Sequence, residues 1–148
     1  MVGTDTKTFR CELIGPRGKL LDCRTTSVVF PAHDGQVGVL CGHMPMLSQL
    51  GLGRLRVAQI PEAGPASPEP RPEVDFFVDG GFALVAENSI TIVAYDALAL
   101  QDVKAETIES LLARATRHLA SPTLSEVQKA HERERLRALQ RIAGTIKA

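Results

Sequence analysis

Between Thr8 and Tyr95 the apolar residues come in short, often β-branched runs that alternate with polar ones and stop at turn residues, the pattern of an all-β sandwich or barrel. The pattern predicts strands at Phe9–Ile14, Lys19–Phe30, Val37–Leu40, Met46–Leu50, Arg54–Gln59, Val74–Val78, Phe82–Glu87 and Ser89–Ala94. Between them stand Gly15-Pro16-Arg17-Gly18, Asp34-Gly35, Gly51-Leu52-Gly53, Asp79-Gly80-Gly81 and Glu87-Asn88, residue types that reach turn dihedrals at little cost. Residues Pro61 to Pro72 are rich in proline, which removes ladder donors. They predict a long solvated hairpin loop within one domain, because apolar strands resume directly after them.

After Tyr95 the period changes. Ile108, Leu111, Leu112, Ala115 and Leu119 form one helical stripe, with Glu106 and Glu109 early and Arg114, Arg117 and His118 late to complement the helix dipole. Ala120-Ser121-Pro122 breaks the chain, and Thr123-Leu124-Ser125-Glu126 has the spacing of a capping box, which predicts a second helix running to about Ala143. Between Val127 and Leu136 that helix has Ala130 as its one apolar residue, so its hold on any core is weak. The expected architecture is mainly β plus α, with a β-sandwich domain over residues 1–98 and an antiparallel two-helix hairpin over 99–148.

With 148 residues, 44% of them hydrophobic, the chain can bury a real core. No apolar run approaches the roughly 20 residues that cross a bilayer, and the N-terminus lacks a signal-peptide core, so a soluble cytosolic protein is expected. Net charge is zero, but residues 1–100 carry 8 basic against 11 acidic side chains and residues 101–148 carry 9 against 6. A chain polarised in this way can dock its tail on its own first domain or on an acidic partner, and the excess is too small to argue for nucleic acid.

The cysteines, Cys11, Cys23 and Cys41, have no zinc-site spacing and are expected as reduced thiols. A symmetric hairpin at Gly15-Pro16-Arg17-Gly18 sets Cys11 opposite Cys23, which permits a disulfide only in an oxidising compartment. Gly80-Gly81 precedes a strand and not a helix, so it is read as a turn and not as a phosphate cradle. His33 and His43 have no second ligand at metal-binding spacing, and no nucleophile-and-base motif occurs. The residues point to a non-catalytic interaction subunit without metal or cofactor.

The run Phe30-Pro31-Ala32-His33-Asp34-Gly35-Gln36-Val37-Gly38-Val39-Leu40-Cys41-Gly42-His43-Met44-Pro45-Met46-Leu47, followed by Leu50-Gly51-Leu52-Gly53-Arg54-Leu55, resembles the signature of the epsilon subunit of F-type ATP synthases. Cys41 stands where that family usually has proline, and Met46 where it has leucine. Phe76-Phe77-Val78-Asp79-Gly80-Gly81-Phe82 and Asn88-Ser89-Ile90-Thr91-Ile92-Val93-Ala94 resemble the family's Gly-Gly-Phe hairpin and the strand that ends its sandwich. The likeness extends over roughly residues 7 to 143.

The resemblance implies a sandwich of about ten strands that binds the gamma subunit and the c-ring and turns with them, while ATP is made on the beta subunits. It implies a peripheral position on the cytoplasmic face of a bacterial inner membrane. By motif position Gly15, His43 and Ser48 match the gamma-facing surface, and Asp34 and Gln36 match the turn on the c-ring loops. Relatives often carry an acid at the position of Gln36, so a hydrogen bond replaces the salt bridge there. The helices are expected to inhibit ATP hydrolysis by setting Arg133, Arg135, Arg137 and Arg141 against an acidic segment of the beta subunit. Where some relatives bind ATP with Ile/Leu-Asp-x-x-Arg-Ala, this chain reads Leu100-Gln101-Asp102-Val103-Lys104-Ala105. Lysine lacks the bidentate fork of arginine, which argues against ATP binding by this subunit. The rival reading is a generic β-sandwich ligand-binding or regulatory module.

Overall fold

The computed structural model describes residues 7–59, 73–101 and 103–146, and the expected Pro61–Pro72 loop lies outside them. The chain forms two compact units, residues 1–100 and 101–148. In the first, seven strands are described: β1 (Phe9–Gly15), β2 (Gly18–Ala32), β3 (Gly35–Leu40), β4 (Met46–Gln59), β5 (Glu73–Ala86), β6 (Ser89–Ala94) and β7 (Ala97–Ala99). They pair in the order β1-β6-β5-β4-β2-β3, with β7 on β5, and a further β1–β2 ladder closes the sheet on itself.

Three strands are much longer than the rest. β2 pairs with β1 through Thr25, where it also meets Gln59 of β4, then bulges and pairs with β3 from Ser27 and with β4 from Val28 onward. β5 pairs with β7 and one half of β4 before Asp79, and with β6 after Gly81. Each long strand therefore serves both layers of the sandwich. The first layer holds β1, β6, the start of β2, the start of β4 and the end of β5; the second holds β3, β7 and the remaining halves. The difference from about ten strands arises here, since a strand that bends from one layer to the other counts once along the chain and twice by layer.

The same bends correct two turn assignments. Gly51-Leu52-Gly53 and Asp79-Gly80-Gly81 are corners inside continuous strands, not turns between separate ones. At these corners a side chain has no room: a Cβ on Gly51 would sit 2.6 Å from the Ala32 carbonyl oxygen, and one on Gly81, at φ +128°, 1.9 Å from that of Val93. Turn-forming residues signal a change of direction, and glycine at a point of close backbone approach gives the same signal within a strand. Glu87-Asn88 is a true turn, with both residues at positive φ between β5 and β6.

Alternation along the strands sends Phe9, Cys11 and Leu13 of β1 and Ile90, Ile92 and Ala94 of β6 inward, against Val28, Phe30, Val39, Leu55, Val57 and Val78. Thr25, the buried polar residue at the β2 bulge, donates its hydroxyl to the Ala58 carbonyl (2.6 Å) and accepts from the Ser27 N–H (3.2 Å). The bulge thus buries no unsatisfied hydroxyl.

The second unit is α1 (Ala105–Leu119) and α2 (Glu126–Ile146), which pack on each other. Ile108 and Ala115 of the expected α1 stripe are buried and its leucines half-buried. The α2 cap lies two residues beyond the expected one. The Ser125 N–H donates to Gln128 Oε1 (2.9 Å) and the Gln128 N–H to Ser125 Oγ (3.3 Å), a reciprocal box with glutamine in place of glutamate. Among the described residues of α2, burial is confined to Ala138, Leu139 and Ile142, while Val127 is 80% exposed. His118 and Glu132 tie the two helices together at 3.2 Å.

Candidate interaction surfaces

The outer face of the first layer is apolar over one half and charged over the other. Register aligns Leu47 of β4 with Leu84 of β5 and Thr91 of β6, and Gln49 with Phe82 and Val93. Ile14 of β1 continues the second row beside Val93. Tyr95 closes the patch with its ring edge-on to Phe82 at 6.3 Å. Exposure from 44% at Val93 to 70% at Leu47 distinguishes this cluster from ordinary scattered surface residues, and a contiguous apolar face of this kind marks a docking surface.

Beyond Ile14 the face turns ionic. Asp22 of β2 accepts from Arg10 Nε and Nη2 at 3.1 and 2.9 Å and from Lys19 Nζ at 3.0 Å, and both cations also reach Glu12. Arg10, then Lys19, hold the Asp22 carboxyl well below the usual carboxylate range. This network borders the apolar patch with fixed, mutually neutralised charge. On the second layer Asp75 pairs with Arg54, and Arg56 Nε lies 3.8 Å from its other oxygen.

The residues singled out by motif position fall at two ends of the sandwich. Gly15 ends β1 one residue past Ile14, the partner of Val93, and Asp34 comes two residues after Ala32, which pairs with Leu50 and through it with Gly81 and Ala94. Gly15, Asp34 and Gln36 therefore share one end, with Asp34 exposed on the β2–β3 turn and Gln36 exposed at the start of β3, opposite Pro31. His43 lies at the other, on the exposed β3–β4 turn, where Cys41 Sγ approaches the Thr8 carbonyl (3.7 Å) and Asn88 Oδ1 (3.5 Å). The His43 Nδ1–H donates to the carbonyl oxygen of its neighbour Met44 at 2.8 Å. Ser48 shares the inward face of β4 with Met46 and Leu50, while Leu47 and Gln49 on either side of it point outward into the apolar patch.

Motif position missed Leu47, Phe82, Leu84, Val93 and Tyr95. Their signal was in the sequence: Phe82-Ala83-Leu84-Val85 is apolar on both faces, which a half-solvated strand is not. Of the arginines on α2, Arg133, Arg137 and Arg141 recur at four-residue spacing and form one exposed stripe, whereas Arg135 lies off it and is half-buried.

Residues 8–99 match the family model of the ATP synthase delta/epsilon chain β-sandwich domain. The chain is 33% identical to the mitochondrial ATP synthase subunit delta of Kluyveromyces lactis over 82% of its length and 70% of the relative's. It is 29% identical to the ATP synthase epsilon chain of Bacillus pumilus over 92% and 95%. A chain of the Euglena gracilis mitochondrial ATP synthase, solved as an OSCP/F1/c-ring assembly, superposes with a TM-score of 0.69 at 20% identity, covering 99% of this chain and 86% of that one, which is a likeness of fold. With a matching domain model over most of its length and full-length relatives beside it, the chain belongs to the ATP synthase delta/epsilon family.

Proposed function

We propose that this chain is the rotor subunit of an F1Fo ATP synthase, joining the gamma subunit to the c-ring so that ion-driven rotation reaches the catalytic beta subunits. The observation that carries the reading is the apolar face of Leu47, Phe82, Leu84, Val93 and Tyr95. Such a face needs a permanent partner, and the gamma subunit is the partner the family supplies. Asp34 and Gln36, at the end of the sandwich where Gly15 also lies, meet the polar loops of the c-ring. The subunit contributes no catalytic residue and, with Gln101 and Lys104 in its motif, holds no ATP of its own. It sits peripherally at the membrane, and no described helix is long and apolar enough to cross one.

The helical pair is a brake on ATP hydrolysis. The first half of α2 has no buried residue, and the Arg133, Arg137 and Arg141 stripe that starts there and runs into the second half suits an acidic segment of a beta subunit. The test uses assembled F1 with the full chain, with a chain ended after Leu100 so that β7 is kept, and with Leu84→Asp. Truncation raises hydrolysis and leaves gamma binding intact, while Leu84→Asp abolishes co-purification with gamma. Unchanged hydrolysis removes the brake, and retained gamma binding by Leu84→Asp removes the docking assignment.

A further inference from the structure

Cys11 and Cys23 are brought together by an irregularity. The β1–β2 turn closes with Gly15 opposite Gly18, and a regular ladder from that pair sets Cys11 against Asp22. A register shift between Leu13 and Ile14 slips the strands by one residue, so Cys11 falls directly opposite Cys23, with exposures of 0% and 6% on the inward face. Directly opposed residues of an antiparallel pair have Cα atoms roughly 4.5–5.5 Å apart, inside the window of roughly 4.4–6.8 Å that a disulfide spans. Both residues stand as thiols. Burial, and then the neighbouring Cys23, push the Cys11 thiol up to about 12, which keeps it protonated and slow to react in the closed sheet.

Among the described residues, Lys19–Arg24 of β2 pair with β1 alone, so Cys23 lies on an edge of the first layer. Edge segments open locally at a smaller free-energy cost than the core behind them. We propose that Cys11 and Cys23 are a latent cross-strand disulfide, closed by a low-molecular-weight disulfide when this edge opens. Cys23, the more exposed of the two, loses its proton and attacks one sulfur of the small disulfide. A mixed disulfide forms and one small thiolate leaves. The Cys11 thiolate then attacks the Cys23 sulfur, the second small thiolate leaves, and the two protons from the cysteines end on the two released thiols. Two protein thiols are oxidised and one small disulfide is reduced. The product fastens the β1–β2 hairpin at a point buried in the core.

The test is incubation of the folded full chain, and of Cys41→Ser, with glutathione disulfide, followed by alkylation, intact mass and peptide mapping. Both proteins are expected to lose two hydrogens and to yield a linked Cys11–Cys23 peptide. A product linked through Cys41 overturns the proposal, as does failure of Cys41→Ser to oxidise. Retention of all three thiols by the folded chain, over a time in which the urea-unfolded chain oxidises fully, overturns it too. Wild type and Cys41→Ser leave the buried pair intact, so no core substitution confuses the result.

Discussion

The sandwich and the helical pair are held by different means. In the sandwich every long strand contributes to both layers, the ladder closes on itself, and Phe30, Leu13, Leu55, Ile90 and Ile92 are fully buried. In the helical unit, burial among the described residues is limited to Ile108 and Ala115 on α1 and to Ala138, Leu139 and Ile142 late on α2. The half of α2 from Glu126 to Leu136 is held by its Ser125 box, the Glu126–Lys129 pair at 3.3 Å and the His118–Glu132 contact. Exposed pairs and caps of this kind contribute roughly 0.3–1 kcal/mol each, against the roughly 2–5 kcal/mol lost when a buried leucine is cut to alanine. A body with a shape to keep is joined to one whose conformation small forces decide.

The same substitution made in each body has opposite signs. Gly81→Ala drives a methyl group into the Val93 carbonyl, 1.9 Å from it, at a φ that L residues avoid. Neither backbone can give way without undoing the β5–β6 ladder, so the urea midpoint of the sandwich falls by the equivalent of about 3 kcal/mol or more. Gly144→Ala adds a methyl where nothing lies within 4 Å, near the end of α2. It raises helicity and stabilises the helical unit by about 0.5 kcal/mol, with no change in the sandwich transition. A Gly81→Ala chain as stable as wild type refutes the corner as described. A sandwich midpoint that moves with Gly144→Ala shows that the two bodies unfold together.

The sequence made the two bodies legible because their periods differ, two in one and 3.6 in the other, and because Glu87-Asn88 and Ala120-Ser121-Pro122 break them. It did not make the corners legible. Gly51–Gly53 and Asp79–Gly81 carry the composition of hairpin turns, and whether such a glycine ends a strand or bends it depends on which backbone approaches from elsewhere in the chain, here Ala32 and Val93. Cys11 met Cys23 as expected but through a bulge, since a symmetric ladder from Gly15 and Gly18 leads to Asp22. The apolar docking face escaped a reading by motif because its residues come from three strands and adjoin only once the register is known. Ser48 was assigned by motif position alone, and strand alternation sends it inward while its neighbours Leu47 and Gln49 form the face.

The smallest effect expected is also specific to the sandwich. Asp22 is exposed, so its pairing with Arg10 and Lys19 contributes little to stability and is screened by salt. Its sign is nevertheless fixed. The folded-state carboxyl titrates below its unfolded counterpart because Arg10 and Lys19 favour the charged form. The stability it contributes is therefore fully present above the unfolded value of about 3.9 and is lost as the pH falls through that value toward the folded one. Asp22→Asn removes this contribution. Urea midpoints followed on the β signal should differ between wild type and Asp22→Asn by a constant amount near neutral pH, converge as the pH falls below about 4, and converge also in high salt. A difference that persists unchanged in acid would assign the effect of Asp22 to packing on β2 and not to its charge, and the ionic border of the docking face would then be incidental to the strength of the hairpin beside it.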